Sequence, residues 1–354
     1  MKAMTGLERC TTVLEGGVAD RVPVVPQAFL FSARTAGYKI GQICKDAAKL
    51  ARSHVICQDK FGYDGCIIDV DDATLAEACG AKCIYRDEEV VATDEHHPLL
   101  DSITGYKDLK LPDPLMDGRL PVWLETTERL VSEIGGHVLI MGRADQGPFD
   151  LACLLRGTQN FMMDLITEEP EDILGLLEWC KEAHIRFAKA QIDAGAHITS
   201  MGDSYAGPNL VSPETYVKFA LQNEIDVVNA VQAYGGRYSV HICGNTSKII
   251  SEMAKTNADV IEVDWQVDMG EARRLFGEKT ILMGNIDPSD PLVFGMPQQV
   301  DAKAKEIIEN TKGRGLFLSS GCAMGANTKP ENMQAMVEAA KKYGTYEQVM
   351  ELNQ

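Results

Sequence analysis

The stretch Tyr238-Ser-Val-His-Ile-Cys-Gly-Asn-Thr-Ser-Lys-Ile-Ile-Ser-Glu-Met-Ala-Lys-Thr-Asn-Ala-Asp-Val-Ile-Glu-Val263 reads as one strand–helix–strand unit. Val240 and Ile242 alternate with His241 and Cys243, and residues two apart on a strand point to the same side. Gly244 ends that strand. Residues 247–256 read as a helix, and 259–263 form the next short apolar strand. The rhythm then repeats: helix 270–276, strand 280–283, helix 298–312, strand 316–319 and helix 330–343.

The same alternation runs back toward the N-terminus. Thr5 caps a first helix, 29–38 reads as an irregular loop, and a helix follows over 47–61. Strands start near residues 22, 66, 137 and 197, so with those near 238, 259, 280 and 316 there are eight strand candidates. Eight alternating β and α units predict a closed (β/α)8 TIM barrel rather than an open sheet. We expect one barrel over 1–354, with an N-terminal helical extension and a β-ribbon and loop excursion near 82–121.

Barrel enzymes carry their chemistry at the C-terminal ends of the strands. His241 and Cys243 fall there, and so does Cys322, which follows the apolar run 316–319 and Gly321. One imidazole and two thiols are three ligands for a soft divalent ion with a fourth position open. They could equally be a buried strand histidine and two core thiols, because free cysteine is often simply buried. Glu262, one strand over, is a candidate fourth ligand or a rim carboxylate. Asp71 (in a cluster with Asp69 and Asp72), Asp203, Tyr205 and Asn285 end other strands and are candidates to bind substrate; the aspartate cluster could equally make hydrogen bonds along the rim, and Asn285 is expected to hold its turn and could also reach the ligand.

A net charge of −18 argues against nucleic acid or an anionic membrane as a partner. Ten scattered cysteines form no disulfide framework, and no apolar run approaches the ~20 residues of a membrane span. We expect a soluble protein in the reducing cytoplasm, where free thiols can serve as ligands.

Gly284-Asn-Ile-Asp-Pro288, Asp264-Trp265, Gly147-Pro-Phe-Asp-Leu-Ala152 and Leu155-Arg-Gly157 resemble elements of the uroporphyrinogen decarboxylase superfamily. The resemblance spreads over most of the chain and implies a (β/α)8 barrel. Its decarboxylases carry an Arg-Gln-Ala-Gly-Arg-Tyr element; here Arg34-Thr-Ala-Gly-Tyr38 supplies the first arginine and no clear second one. The corrinoid-linked methyltransferases of the superfamily carry a His-x-Cys…Cys zinc motif, which His241, Cys243 and Cys322 match residue by residue. That resemblance implies a zinc methyltransferase moving a methyl group between a corrinoid (methylcobalamin) and a small substrate. The substrate would be a thiol or a methylated methoxy or methylamine compound. With eight units using up the chain, a separate corrinoid-binding protein is expected to dock over the C-terminal face of a monomer or homodimer. Two alternatives stay open: a uroporphyrinogen decarboxylase without zinc, and a non-catalytic barrel that binds a tetrapyrrole or corrinoid.

Overall fold

Each barrel strand is only a few residues long, so the ring is held by many short parallel ladders. The structure, a computed structural model, describes residues 3–354. The strands are β1 (Gly65–Ile67), β2 (Cys83–Ile84), β3 (Ala92–Thr93), β4 (Leu139–Met141), β5 (Thr199–Gly202), β6 (Tyr238–His241), β7 (Val260–Glu262), β8 (Ile281–Ile286) and β9 (Leu316–Ser320). β1 pairs with β4, and β5 through β9 pair in sequence order, all parallel. Bridges Met141↔Ile198 and Val24↔Leu318 join the two sheets and bring the first extended segment into line. The Asp64 amide donates to the Val24 carbonyl at 2.8 Å and closes the ring. All eight strand positions expected from the sequence take part. β2 and β3 form a small antiparallel ribbon outside it.

Two faces emerge from strand alternation. Ile67, Leu139, Met141, Val260, Ile281, Met283 and Phe317 pack together inside the barrel. Their neighbours Cys66, Ile140, Ile261, Leu282, Leu316 and Leu318 face the surrounding helices. On β6 the same rule sends Tyr238, Val240 and Ile242 outward to the helices. Ser239, His241 and Cys243 are thereby left on the inner side.

The N-terminal helix Gly6–Leu14 plugs one end. Thr5 and Glu8 form a reciprocal capping box at its start. Its Cys10 and Val13 join the interior cluster, and its Arg9, together with Arg21, pairs with buried Asp64.

Several boundaries differ from the expectations. Residues 29–38 are not a loop: Phe29–Thr35 is a helix with no side-chain cap, held by burial of Phe29, Phe31 and Ala33. The strand read as 238–243 ends at His241, which puts Cys243 on the following loop. The helix read as 247–256 is broken into Thr246–Lys248, Ile250–Met253 and Ala254–Thr256, of which the first and last are 3-10 turns. Asn245 caps the first piece through Ser247, and Asn257 in the left-handed region ends the last. No described helix is long and apolar enough to cross a membrane.

Candidate functional site

The register of the central strands brings the site together. Gly202, His241 and Glu262 stand side by side across β5, β6 and β7. His241 Nε2 lies 3.0 Å from Cys243 Sγ, and Cys243 Sγ lies 3.3 Å from Cys322 Sγ. The three possible ligand atoms all lie within 4.8 Å of one another. His241 Nδ1 donates to the Glu262 main-chain carbonyl at 3.0 Å. That bond turns Nε2 toward the sulfurs, as a metal-binding histidine requires.

Two glycines let the loops approach this closely. Gly244, directly after Cys243, sits at φ +87°, a conformation L side chains rarely adopt. A Cβ on Gly321, directly before Cys322, would lie 2.4 Å from the Trp265 amide nitrogen. The loops after β6 and β9 are thus pinned against the loop after β7. The Cys243 amide adds a bond to Ser204 Oγ at 3.2 Å, and the Gly244 amide one to Asp264 Oδ2 at 2.8 Å.

Electrostatics at the trio favour thiolate. The hydrogen bond from Cys322, helped by His241 against the cost of burial, lowers the Cys243 thiol to about 3. Cys322 is raised by the same contact and by burial, so the sulfurs keep one proton between them. Burial works against charge on His241, but the Cys243 sulfur outweighs it and holds the imidazole at about 9. The thiolate is the form in which cysteine binds metal, and Cys243 is held in that form.

The trio opens on a cavity of about 230 Å³ between the strand ends. Gln27, Phe29 and Leu30 form one wall; Asp69, Asp71 and Asp72 a second; Arg143, Gln146, Asp150 and Tyr205 a third. Arg143 is 3 % exposed. Its Nη2 donates to Glu262 Oε2 at 2.8 Å, and its Nε lies 3.3 Å from Asp69 Oδ2. Burial raises Asp69 to about 8 despite Arg143.

The remaining expected residues divide. Glu262 is not in the ligand group: its second oxygen accepts from Ser239 Oγ at 2.9 Å, so both oxygens are engaged within the barrel. Asp71 reaches the cavity wall, but Arg119 grips its carboxylate with two bonds of 2.6 and 2.9 Å. Asp203 is fully buried and accepts the Asp150 amide at 2.8 Å. Asp150 in turn accepts the amides of Ser204 and Tyr205. The pair ties the helix Pro148–Arg156 to the end of β5, and Asp203 does not line the cavity. Asn285 is also buried away from it and donates to the carbonyls of Asp264 and Val267, holding the loop after β7. Tyr205 does line the cavity. Arg34 is exposed and lines a separate cleft with Tyr38 and Glu88.

Sequence reasoning missed Arg143, Gln146 and Gln27. Their one available signal was position: each follows a strand at the same end of the barrel.

Comparison with known proteins places this architecture. The profile of the uroporphyrinogen decarboxylase (URO-D) family matches residues 5–343. The chain belongs to the uroporphyrinogen decarboxylase family. Within that family it sits with the methyltransferases. It is 30 % identical over 351 residues to methylcobamide:CoM methyltransferase MtbA of Methanosarcina acetivorans, covering 97 % of this chain and 99 % of that one. It is 31 % identical over 354 residues to MtaA of Methanosarcina barkeri, with the same coverage. Uroporphyrinogen decarboxylase of Geobacter metallireducens is 25 % identical and covers 85 % of this chain and 86 % of its own. Among solved structures, a methyltransferase from Methanosarcina mazei superposes with a TM-score of 0.88 at 24 % identity, over 96 % of this chain and 99 % of that one. That likeness establishes the (β/α)8 fold for the family member described here.

Proposed function

We propose that this protein is a zinc-dependent methyltransferase that moves a methyl group between a corrinoid, carried by a separate protein, and a small substrate such as a thiol or a methoxy or methylamine compound. One observation carries the reading: an imidazole nitrogen and two cysteine sulfurs stand within 4.8 Å of one another on the wall of a cavity.

The donor set fits zinc, which takes cysteine sulfur and histidine nitrogen and keeps an open position in catalytic sites. His241 would bind through Nε2, because its Nδ1 is committed to the Glu262 carbonyl. Cys243 and Cys322 would bind as thiolates. Zinc held there would act as a Lewis acid that keeps a substrate thiol ionised at neutral pH or polarises a methylated heteroatom. The chain's own groups do the rest. Arg143 stabilises the buried Glu262 and so the strand that orients His241. Phe29, Leu30 and Leu154 supply apolar surface that keeps water from the reacting atoms.

The corrinoid protein is expected over the strand C-termini, where this cavity lies, and the names of the methylcobamide:CoM methyltransferase relatives support such a partner. The whole chain would serve as the catalytic unit, in a reducing compartment that keeps its cysteines as thiols. The decarboxylase alternative gains less support. The one guanidinium on the wall, Arg143, is already held by Glu262 and Asp69, so none is free for a substrate with many carboxylates.

The test is methyl transfer by zinc-loaded protein between methylcobalamin, or a methylcorrinoid protein, and thiols, ethers and amines. Transfer that vanishes in Cys243→Ser supports the reading. No transfer in either direction with any of these refutes it; turnover of uroporphyrinogen would establish the decarboxylase, and tight corrinoid binding without turnover the carrier.

A further inference from the structure

The cavity beside the trio is too small for one of the reactants in the proposed reaction. Its volume is about 230 Å³, far less than a corrin macrocycle with its fringe of amide side chains occupies. The methyl group must still reach the metal ligands. The macrocycle is therefore left on the rim, with its methyl-bearing face turned toward the mouth. The side chains exposed on that rim are the ones it meets.

Three segments bring exposed apolar side chains there. The loop after β7 carries Trp265, and it is tied to both sulfur-bearing loops. Asp264 Oδ2 accepts the amide of Gly244, next to Cys243, and the Trp265 main chain packs on Gly321, next to Cys322. Asn285 holds the carbonyls of Asp264 and Val267, which fixes this loop in place. Leu210 lies on the loop after β5, beside Asn209, whose amide fills the space that a Cβ on Gly244 would need. Val90, in the connection between β2 and β3, lines the cavity itself. Trp265 is 44 % exposed, Leu210 49 % and Val90 39 %. Apolar side chains scattered singly over a surface need no explanation, but three at one mouth mark a contact. Trp265 does not line the cavity, so its indole stands outside the mouth, where the macrocycle has to rest.

We propose that Trp265, Leu210 and Val90 form the seat for the corrin macrocycle, with the Trp265 indole as its main contact. A flat ring system offers a broad face, and an indole covers such a face with a large, rigid apolar surface at little entropic cost. The inference rests on the methyltransferase reading above and adds where the corrinoid sits.

The test uses methylcobalamin as the probe for the corrinoid that the partner carries. Its binding to zinc-loaded protein is measured by equilibrium dialysis, and its KM by methyl transfer to 2-mercaptoethanol or 2-mercaptoethanesulfonate. Trp265→Ala is expected to weaken methylcobalamin binding and raise its KM by about tenfold. Zinc content and the KM for the thiol should stay within about twofold of native. Leu210→Ala should give a smaller change in the same direction. Ile166→Ala, which removes an 81 % exposed side chain from the outer helix Thr158–Thr167, should give none. Unchanged methylcobalamin binding in Trp265→Ala, or lost zinc or thiol affinity in its place, overturns the inference. If that variant does not fold, Leu210→Ala decides by the same readouts. A native protein that neither binds methylcobalamin nor transfers its methyl overturns the methyltransferase reading as well, whereas transfer that both rim variants leave untouched overturns only the seat.

Discussion

The Nδ1 atom of His241 donates to the main-chain carbonyl of Glu262 across 3.0 Å, and the two residues are paired neighbours on β6 and β7. The carbonyl sets the imidazole, while the Glu262 side chain turns to Arg143 and Ser239. One residue thus orients His241 through its backbone and balances a buried cation through its side chain.

Glu262→Gln separates these roles. The main-chain carbonyl remains, so zinc content should match that of the native protein by metal analysis. Arg143 loses the charge of its nearer partner in a buried setting, which should cost about 3 kcal/mol in urea unfolding. Zinc loss from a folded variant would mean that the carboxylate is a ligand.

Asp71 is held by Arg119 from the helix-start side of the barrel. Asp71→Asn should lower stability by roughly 3 kcal/mol, the cost of breaking a buried pair. KM for the small substrate should change little. A large KM change at unchanged stability would return Asp71 to the substrate.

Gly321→Ala places a Cβ against the Trp265 backbone, and the loop carrying Cys322 must shift. Zinc affinity, measured by competition with a chelator, should drop about tenfold or more, the order seen when ligand-supporting contacts are lost. Unchanged affinity would show that the loop position is not what sets the ligand.

His54 is buried and neither ring nitrogen has a partner, and burial lowers it to about 4. Its folded value lies below the unfolded value of about 6.5. Its stabilising contribution is therefore present above the unfolded value and is lost as pH falls through the folded one. Moving from about pH 8 to about pH 5 should cost roughly 2 kcal/mol from this group alone. His54→Leu should remove that part of the slope in urea unfolding at the two pH values.

Much of the scaffold was legible because strand and helix periods are local. The eight strands lie where alternation and turns put them, and the His241–Cys243 spacing already implied a shared side. Cys322 was legible as a cysteine two residues past a strand, and its meeting with Cys243 required only that the barrel close. The helix Phe29–Thr35 was missed because it has no capping residue and is held by packing. Residue roles were the least legible. Glu262 and Arg143 are 119 positions apart, and Asp71 and Arg119 are 48 apart. Which carboxylates are consumed by arginines and which face the cavity depends on these distant pairings. The sequence showed acids at the strand ends and could not show which of them were already partnered.

The central claim is that His241, Cys243 and Cys322 hold one metal ion with a place left for substrate. X-ray absorption at the zinc edge of the loaded protein tests it most directly. We predict two sulfur neighbours at about 2.3 Å with imidazole nitrogen, and a third sulfur when a thiol substrate is added. A shell without sulfur, or one that a thiol leaves unchanged, would contradict the account.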